Sequence, residues 1–243
     1  SRVVATSEID YTNDIDYIHN IEKSIYNDMM SHRFLFNSPA LFSAGVGISK
    51  NKKLSHLLYD KEVSEELYKT IKKNIANGQM LFACFVISVP DSLEGIFDSV
   101  KNAAIISAAG GGVGTNFSKL REKGSSIKNG EYGSSSGPVS FMQTWNTMGS
   151  VVVQGGKRRA ALMGMLNSNH PDIEEFINAK TEEGKLSYFN ISVAIDNLFM
   201  EAVKGDLDYC LISPKDNKVI KTIKARELWD KICNNAYLRG DPG

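Results

Sequence analysis

The sequence predicts an α/β protein in which a mainly helical N-terminal region, residues 1–79, precedes a domain of alternating strands and helices, residues 80–243. Two observations lead to this prediction. Apolar side chains in the first third repeat at three- and four-residue steps, which places them on one face of a helix. After residue 80, short apolar runs rich in β-branched and aromatic residues alternate with helical segments, which is typical of a parallel sheet covered by helices.

Two apolar repeats predict the helices of the N-terminal region. The first repeat consists of Ile15, Ile18, Ile21, Ile25 and Met29. The second consists of Leu67, Ile71 and Ile75 and predicts a surface helix that ends near Asn77-Gly78. Between them, Pro39 stops any helix because the residue before a proline avoids helical angles.

The first strand of the second region is predicted at residues 81–89, where a short apolar run ends at Pro90. Its composition is typical of a buried strand. Asp91 or Ser92 is then expected to cap a helix that continues to Ala109. Further elements are expected in chain order: a flexible loop at 123–137, a helix at 138–153, a strand at 160–166, a helix at 170–180, a strand at 189–195, a helix capped by Asp196 and ending at Lys204, strands at 208–212 and 218–223, and a helix at 225–237.

Composition argues against several classes of function. The 28 basic and 28 acidic residues cancel, which argues against nucleic-acid binding through a basic field. No apolar run approaches the roughly 20 residues needed to span a bilayer, and no signal peptide is evident. Three separated cysteines without a CxxC argue against a disulfide scaffold and a zinc site, and they suggest a reducing, cytoplasmic setting. The four histidines form no metal-binding pattern, so we expect no metal site in this chain.

Three features allow two interpretations each on residue chemistry alone. The glycines at 110–112 and 114 match neither a dinucleotide fingerprint nor a Walker A loop, and they form either a sharp turn or a backbone approached closely by a phosphate or sugar. The basic run at 157–159 either contacts phosphates or bases or lies on a solvated loop. Cys84, in an apolar strand, is by default a buried core thiol, and the same default applies to Cys210 and Cys233.

The order of longer motifs adds a resemblance to a known family. The chain contains NSPAL at 37–41, ACFV at 83–86, PDSL at 90–93, GGGVGTNFSKLREKG at 110–124, SSGPVSFM at 135–142, QGGKRRAALMG at 154–164, HPDIEEFINAK at 170–180, FNISVAI at 189–195 and GDPG at 240–243. In this order, the nine motifs resemble the catalytic subunit of ribonucleotide reductases, in particular the adenosylcobalamin-dependent class II type.

The resemblance implies a fold and a chemistry. The family fold is a ten-stranded α/β barrel of two parallel five-stranded halves, and this chain would supply an N-terminal helical region and the first half-barrel. The family reduces ribonucleoside di- or triphosphates by a thiyl-radical mechanism in which a cysteine pair supplies two electrons. It also implies a deoxynucleoside triphosphate effector bound across a homodimer interface, and a thioredoxin-like reductant.

The resemblance also assigns roles to individual residues. Cys84 matches the first member of the reducing cysteine pair. The positions expected to bind substrate are Ser38, Ala40, Ala83, Cys84 and Gly112. A threonine is common in the family where this chain has Ala40. The positions expected to bind the effector are Asp91, Ser92, Leu93, Arg121 and Lys128. Residues 123–137 match a first allosteric loop, and the second is expected to act through Gln154, Lys157, Arg158 and Arg159.

The chain departs from the family at two points. It contains no Asn-x-Cys-x-Glu, the motif that holds the radical cysteine, so we expect the 243 residues alone not to reduce ribonucleotides. The partner of Cys84 is also expected outside this chain, so Cys84 should be a free thiol close to Gly112. A lysine-rich insert at 49–79 is longer than the resemblance leads us to expect. Two alternatives stay open: a class I large subunit served by a separate radical-generating subunit, and a nucleotide-binding regulatory module without catalysis.

Overall fold

The structure, a computed structural model, describes residues 1–36, 40, 41, 44, 61, 63–75, 82–127, 131–152, 159–182 and 184–243. The chain divides into two compact units, Ser1–Ala83 and Cys84–Gly243. Each unit has a hydrophobic cluster of its own.

The first unit is helical in its described part, as its apolar repeats predict. Its elements are α1 (Arg2–Ala5), a 3-10 helix (Thr6–Asp10), α2 (Ile15–Met30) and α3 (Glu65–Ile75). Ala5, Ile18 and Tyr68 form the buried centre of this unit, one residue from each α-helix. Glu22 accepts a hydrogen bond from the Tyr68 hydroxyl over 3.0 Å and therefore ties α2 to α3.

The second unit is an α/β structure around a parallel sheet. In chain order its elements are β1 (Cys84–Ser88), α4 (Leu93–Ala109), β2 (Gly112–Asn116), α5 (Pro138–Val151), β3 (Leu162–Asn167), α6 (Ile173–Ile177), β4 (Phe189–Ala194), α7 (Asn197–Lys204), β5 (Asp208–Ile212), β6 (Val219–Lys224) and α8 (Ala225–Arg239). Strands β1 to β4 pair in sequence order and are all parallel, whereas β5 and β6 form a separate antiparallel pair. The mixed α/β class predicted from the sequence is therefore confirmed.

Local capping signals locate two of the helices correctly. The Ser92 hydroxyl accepts a hydrogen bond from the Gly95 amide over 3.1 Å at the start of α4. Asp196 accepts one from the Phe199 amide over 2.7 Å at the start of α7. In each case a short polar side chain satisfies an amide that has no partner within the helix.

Two expectations about secondary structure need correction. Strand β2 was not predicted, because its glycines have low strand propensity, yet it pairs with β1 on one side and β3 on the other. The helix expected at 170–180 is only the five-residue α6, followed by turns. Residues 112–116 form a strand because they pair with β1 and β3. The segment after α6 is ordered by tertiary contacts and not by a helical repeat.

The parallel sheet has one covered face and one open face among the described residues. Helices α4, α5 and α6 pack against the side on which Val113, Leu162 and Phe189 are buried. The opposite face presents Cys84, Val86 and Gly114 at exposed or half-buried positions. The free edge of β4 is extended by Gly243, which donates to the Ile191 carbonyl and accepts from the Val193 amide, both over 2.9 Å.

Within the described ranges, no helix is long and apolar enough to cross a membrane. The same residues contain no group of three or more His, Cys, Asp or Glu side chains that could hold a metal ion.

Candidate functional site

Cys84 lies at an exposed position of the sheet rather than in the core. It is the first residue of β1, and its thiol is exposed and free. Strand β1 lies at the edge of the sheet, and no described helix covers the sheet face that carries Cys84. Val86, on the same face, is 87% exposed. The expected burial of this strand and of the Cys84 thiol is therefore wrong, whereas the expected free thiol is confirmed.

The default expectation of burial is also wrong for the other two cysteines. Cys210 and Cys233 are both exposed and free. Cys210 lies on the outward face of the β5–β6 pair, and Cys233 lies on the solvent side of α8, whose inward side carries Leu228 and Ile232. Apolar spacing places their neighbours in the core and turns these two thiols outward.

The glycine cluster combines a turn with an open strand. Gly110 ends α4 with a positive φ of 105°, and a side chain on Gly111 would meet Ile106 and Phe85 at 2.8 Å, so both are needed for the turn. Gly112 pairs in register with Cys84, which confirms the expected proximity of the two residues. A Cβ on Gly114 would meet only the Phe85 carbonyl at 3.8 Å and the Val86 side chain at 4.0 Å. Among the described residues, Gly114 therefore leaves room on the sheet face that carries the thiol.

The position of Cys84 departs from the usual site in parallel α/β proteins. Ligands of open parallel sheets bind beyond the carboxyl ends of the strands. Cys84 and Gly112 are instead the first residues of β1 and β2, at the amino ends. The chemistry expected of Cys84 is therefore on the opposite edge from the loops that follow the strands.

The carboxyl edge carries the pair expected to bind the effector. The Arg121 Nε atom donates to one Asp91 carboxylate oxygen over 2.8 Å, and the Arg121 amide donates to the other over 3.2 Å. Both side chains are partly buried. Asp91 follows β1 and Arg121 follows β2, so the parallel sheet brings together two residues that are 30 positions apart. Beside them, Leu93 is 66% exposed at the start of α4.

The loop predicted at 123–137 contains no helix or strand among its described residues, and cross-loop hydrogen bonds order it. The Gly124 amide donates to the Ser135 carbonyl and the Ser135 amide to the Ser125 carbonyl, both over 2.8 Å. At the described end of the loop, the Ser126 carbonyl accepts from Arg121 over 3.2 Å and from Lys215 over 3.0 Å. The loop is thereby tied to the Asp91–Arg121 pair and to the turn between β5 and β6.

Two polar side chains that the sequence did not single out, His170 and Asp172, contact the backbone on either side of Arg121. The His170 Nε2 atom lies 2.9 Å from the Leu120 carbonyl, and the Asp172 carboxylate accepts from the Lys123 amide over 2.9 Å. Burial lowers the pKa of His170 and raises the pKa of Asp172. The only sequence signal for these two side chains was the HPD tripeptide within one of the family motifs.

A polar cleft of about 500 Å³ opens at the same carboxyl edge. It is lined by residues at or just after the ends of four different strands, β1, β2, β3 and β5, namely Asp91, Ser118, Lys119, Asn167, His170 and Ser213. Asp91 of the Asp91–Arg121 pair lines this cleft, so open space adjoins that carboxylate.

The expected roles of several further residues are not tested by the structure. Ser38, Lys128, Gln154, Lys157 and Arg158 lie outside the described residues. Ala40 is buried in the first unit, and Ala83 directly precedes β1. Arg159 is exposed and lies over the Tyr188 ring, 5.7 Å from its centroid, a cation–π contact. The roles expected of all these residues stay predictions.

Comparison with known proteins assigns the second unit to a family. Residues 82–243 match the family described as ribonucleotide reductase, barrel domain. The vitamin B12-dependent ribonucleoside-diphosphate reductase of Thermoplasma acidophilum is 49% identical over 164 residues, which are 67% of this chain and 21% of that protein. The protein of the same name from Mycobacterium tuberculosis (strain CDC 1551 / Oshkosh) is 41% identical over 165 residues, 68% of this chain and 24% of that protein.

Another similar protein has a name that does not mention vitamin B12. The ribonucleoside-diphosphate reductase large subunit of Caenorhabditis elegans is 31% identical over 188 residues, which are 66% of this chain and 24% of that protein. The chain thus spans a quarter or less of the length of these three relatives. Because the barrel-domain match covers two thirds of the chain and coincides with the parallel sheet and its glycine-lined cysteine, the chain belongs to the ribonucleotide reductase family.

Proposed function

We propose that this chain is part of a vitamin B12-dependent ribonucleotide reductase, in which it supplies substrate-binding and effector-binding residues and one of two reducing cysteines. The observation that supports this most is the in-register pairing of the free, exposed Cys84 with Gly112 on an open sheet face. The four parallel strands, with Gly243 added at the free edge, are proposed to be part of the first half of a ten-stranded barrel. Residues 1–79 are proposed as a separate helical region.

The proposed chemistry uses Cys84 as one half of a dithiol. A thiyl radical on another cysteine removes the 3′ hydrogen of the ribose, and the 2′ hydroxyl leaves as water. The Cys84 thiol and a second thiol from outside this chain supply two electrons and two protons and become a disulfide; one proton leaves with the 2′ hydroxyl as water and the other goes to C2′. The first cysteine then returns its hydrogen to C3′ and becomes a thiyl radical again. Gly112 adds no side chain beside the thiol, and a Cβ on Gly114 would meet only ordinary contacts, so the backbone here suits close approach by a ribose.

The substrate is proposed to be a ribonucleoside diphosphate, because the relatives with the highest identities are named as diphosphate reductases. Its phosphates are proposed to bind near Ser38 and Ala40. Adenosylcobalamin enters the proposal through the names of the relatives. The described residues contain no group of three or more His, Cys, Asp or Glu side chains that could hold a metal ion, and we assign the cofactor no contact in this chain.

The effector is proposed to be a deoxynucleoside triphosphate bound at Asp91, Ser92, Leu93 and Arg121, with Lys128 from the loop at 123–137. Guanidinium groups bind phosphate through charge-assisted hydrogen bonds, and the Asp91 carboxylate that Arg121 contacts lines the cleft. The segment of Gln154, Lys157, Arg158 and Arg159 is proposed to couple effector identity to substrate choice.

A homodimer is proposed through the outer face of α4. Leu93, Phe97 and Ile105 lie on one side of this helix and are 50% to 66% exposed. Their spacing of four and eight residues makes a single apolar stripe, which is typical of a helix that packs against a partner. Because Leu93 adjoins Asp91, such an interface would border the effector site. We further propose a cytoplasmic location and a thioredoxin-like reductant, supported by the three free cysteines.

Replacement of Cys84 in the full-length protein tests the proposal. Cys84→Ser keeps the size of the side chain but removes thiol redox chemistry, so we expect multiple-turnover reduction of ribonucleoside diphosphates to be lost. Cys210→Ser is the matched control, because Cys210 is also an exposed free thiol in the same unit, and it should retain turnover. Sustained turnover by the Cys84 variant would reject the assignment of Cys84 as a reductant.

The two alternatives make different predictions for the same assay. A class I large subunit would need a second, radical-generating protein for turnover, whereas our proposal requires adenosylcobalamin and no second subunit. A nucleotide-binding module without catalysis would bind deoxynucleoside triphosphates and show no turnover under either condition.

A further inference from the structure

We propose that His170 and Asp172 are positioning residues that hold Arg121 ready for the effector by fixing the backbone on both sides of it. This inference rests on the proposed effector site, to which it adds two residues that do not touch the nucleotide.

The segment around Arg121 lacks the support of regular secondary structure. Residues 117–123 connect β2 to the loop and belong to no helix or strand. Their backbone is held by long-range contacts instead. Leu120 is held by His170 over 2.9 Å, and Lys123 is held by Asp172 over 2.9 Å. Between these anchors, the Glu122 carboxylate accepts from the Ser213 hydroxyl over 2.8 Å in a buried position.

The hydrogen bonds of His170 define which of its nitrogens carries the proton. The Leu120 carbonyl can only accept, so Nε2 donates to it. The Asp172 amide can only donate, so Nδ1 accepts from it over 3.0 Å. His170 is therefore the neutral Nε2–H tautomer, a rigid bridge 2% exposed to solvent.

Asp172 occupies the residue before a helix, but its side chain does not cap that helix. It occupies the N-cap position of α6, and its side chain makes no capping bond there. Its carboxylate contacts the Lys123 amide instead. The two polar side chains of the HPD turn therefore contact the backbone on either side of Arg121, His170 at Leu120 and Asp172 at Lys123.

The consequence is a preorganised guanidinium. With residues 120 and 123 fixed, the Arg121 side chain leaves the backbone at a set position and meets Asp91 over 2.8 Å. A cation held in place before binding loses less conformational entropy when it contacts a phosphate. Releasing one anchor should therefore weaken effector binding through Arg121.

Two variants of His170 separate its two hydrogen bonds. His170→Gln places an amide donor near the Nε2 position and keeps the bond to Leu120. His170→Asn places an acceptor near the Nδ1 position, keeps the bond from the Asp172 amide and loses the bond to Leu120. Each variant removes one buried hydrogen bond, so the two serve as matched controls for stability. Only the asparagine variant releases the backbone next to Arg121.

The experiment measures dTTP, dGTP and dATP affinity by calorimetry in the full-length protein. We expect Arg121→Ala to weaken the affinity for at least one of them roughly 10- to 150-fold, the loss of a hydrogen bond to a charged group. His170→Asn should weaken the same affinity about three- to tenfold, and His170→Gln should stay within about twofold of wild type. In the Arg121→Ala background, His170→Asn should have no additional effect, because it acts through that arginine.

The outcomes separate this inference from the proposed effector site. Unchanged affinity in Arg121→Ala would overturn the effector site itself. A clear loss in Arg121→Ala with equal losses in the two His170 variants, or with additive losses in the double variant, would overturn only the positioning role. If His170→Asn does not fold, Asp172→Ala replaces it, since it releases the Lys123 anchor and should likewise have no additional effect in the Arg121→Ala background.

Discussion

The two ends of the same pair of strands differ in how they are built. At the amino ends of β1 and β2, Cys84 is exposed and Gly112 is half-buried, on a sheet face that no described helix covers. At the carboxyl ends, Asp91 and Arg121 sit in a network of hydrogen bonds that reaches His170 and beyond. The first end leaves space for a ligand, and the second holds its charged groups in place.

The difference shows how the two ends of one sheet can contribute to two separate sites. Strand β1 is five residues long, which separates its ends by roughly 13 Å at about 3.3 Å per residue. The proposed reductant and the proposed effector site are thus too far apart to touch. Each of the two strands nevertheless begins at the first site and ends near the second. A bare backbone suits close approach by a substrate, whereas a preorganised cation suits recognition of a phosphate.

The largest expected loss of stability comes from breaking the hydrogen-bond network at the carboxyl end. Ser213→Ala removes the hydroxyl that donates to the buried Glu122 carboxylate, and we expect a loss of roughly 1.5–3 kcal/mol in the free energy of unfolding. Cys84→Ser, at the open end, should change it by less than about 0.5 kcal/mol. Trp145 and Trp229, the only tryptophans in the chain, lie in the second unit, so their fluorescence in a urea titration reports on it. Equal losses in the two variants would contradict the contrast.

A second comparison sharpens the description of the open end. A Cβ on Gly111 would lie 2.8 Å from both Ile106 and Phe85, so Gly111→Ala should cost about 1–3 kcal/mol through overpacking. Gly114→Ala, two strand positions beyond Gly112, meets only ordinary contacts and should cost less than about 1 kcal/mol. The same urea titration distinguishes them. A larger loss for Gly114→Ala would show that the sheet face beside Cys84 is more tightly packed than the structure indicates.

The smallest expected effect is a pH dependence at the carboxyl end. Burial lowers the pKa of His170 below its ordinary value of 6.5, so the unfolded chain binds more protons than the folded one as the pH falls below 6.5. The stability that His170 contributes is therefore complete above pH 6.5 and is lost towards its lower folded pKa. Burial raises the pKa of Asp172, which acts with the opposite sign nearer its ordinary value of 3.8.

The difference between wild type and His170→Gln isolates the histidine. We expect the wild type to lose more stability than the variant between pH 6.5 and 5, measured by urea titration at each pH. Parallel stability curves for the two proteins would contradict a buried neutral His170.

Local signals in the sequence predicted the elements that depend on local interactions. Ser92 and Asp196 cap the helices that follow them, because a capping side chain bonds to an amide only three residues away. Strand β2 was not predictable in the same way, since its glycines become a strand only by pairing with β1 and β3. The open face of β1 was also missed, because an apolar run does not show whether one face or both will be covered.

The candidate site shows the same limit at longer range. The family motifs pointed to Cys84, Gly112, Asp91 and Arg121, and the register and the ion pair bring these residues together in two pairs. That Asp91 bonds to Arg121, 30 positions away, has no local signal. The contact of His170 with Leu120 spans 50 positions and depends on the parallel pairing of β2 with β3. Contacts of this kind follow from topology, which a local pattern does not encode.

The most direct test of the account maps the disulfide formed by Cys84 in the full-length protein. The protein is incubated with adenosylcobalamin and a ribonucleoside diphosphate but without an external reductant, then alkylated and digested for mass spectrometry. We predict that the Cys84 peptide becomes linked to a second cysteine, only when the ribonucleotide is present and in proportion to the deoxyribonucleotide formed. Deoxyribonucleotide formation with Cys84 still fully alkylated as a free thiol would contradict the claim that the open end of the sheet holds the reductant.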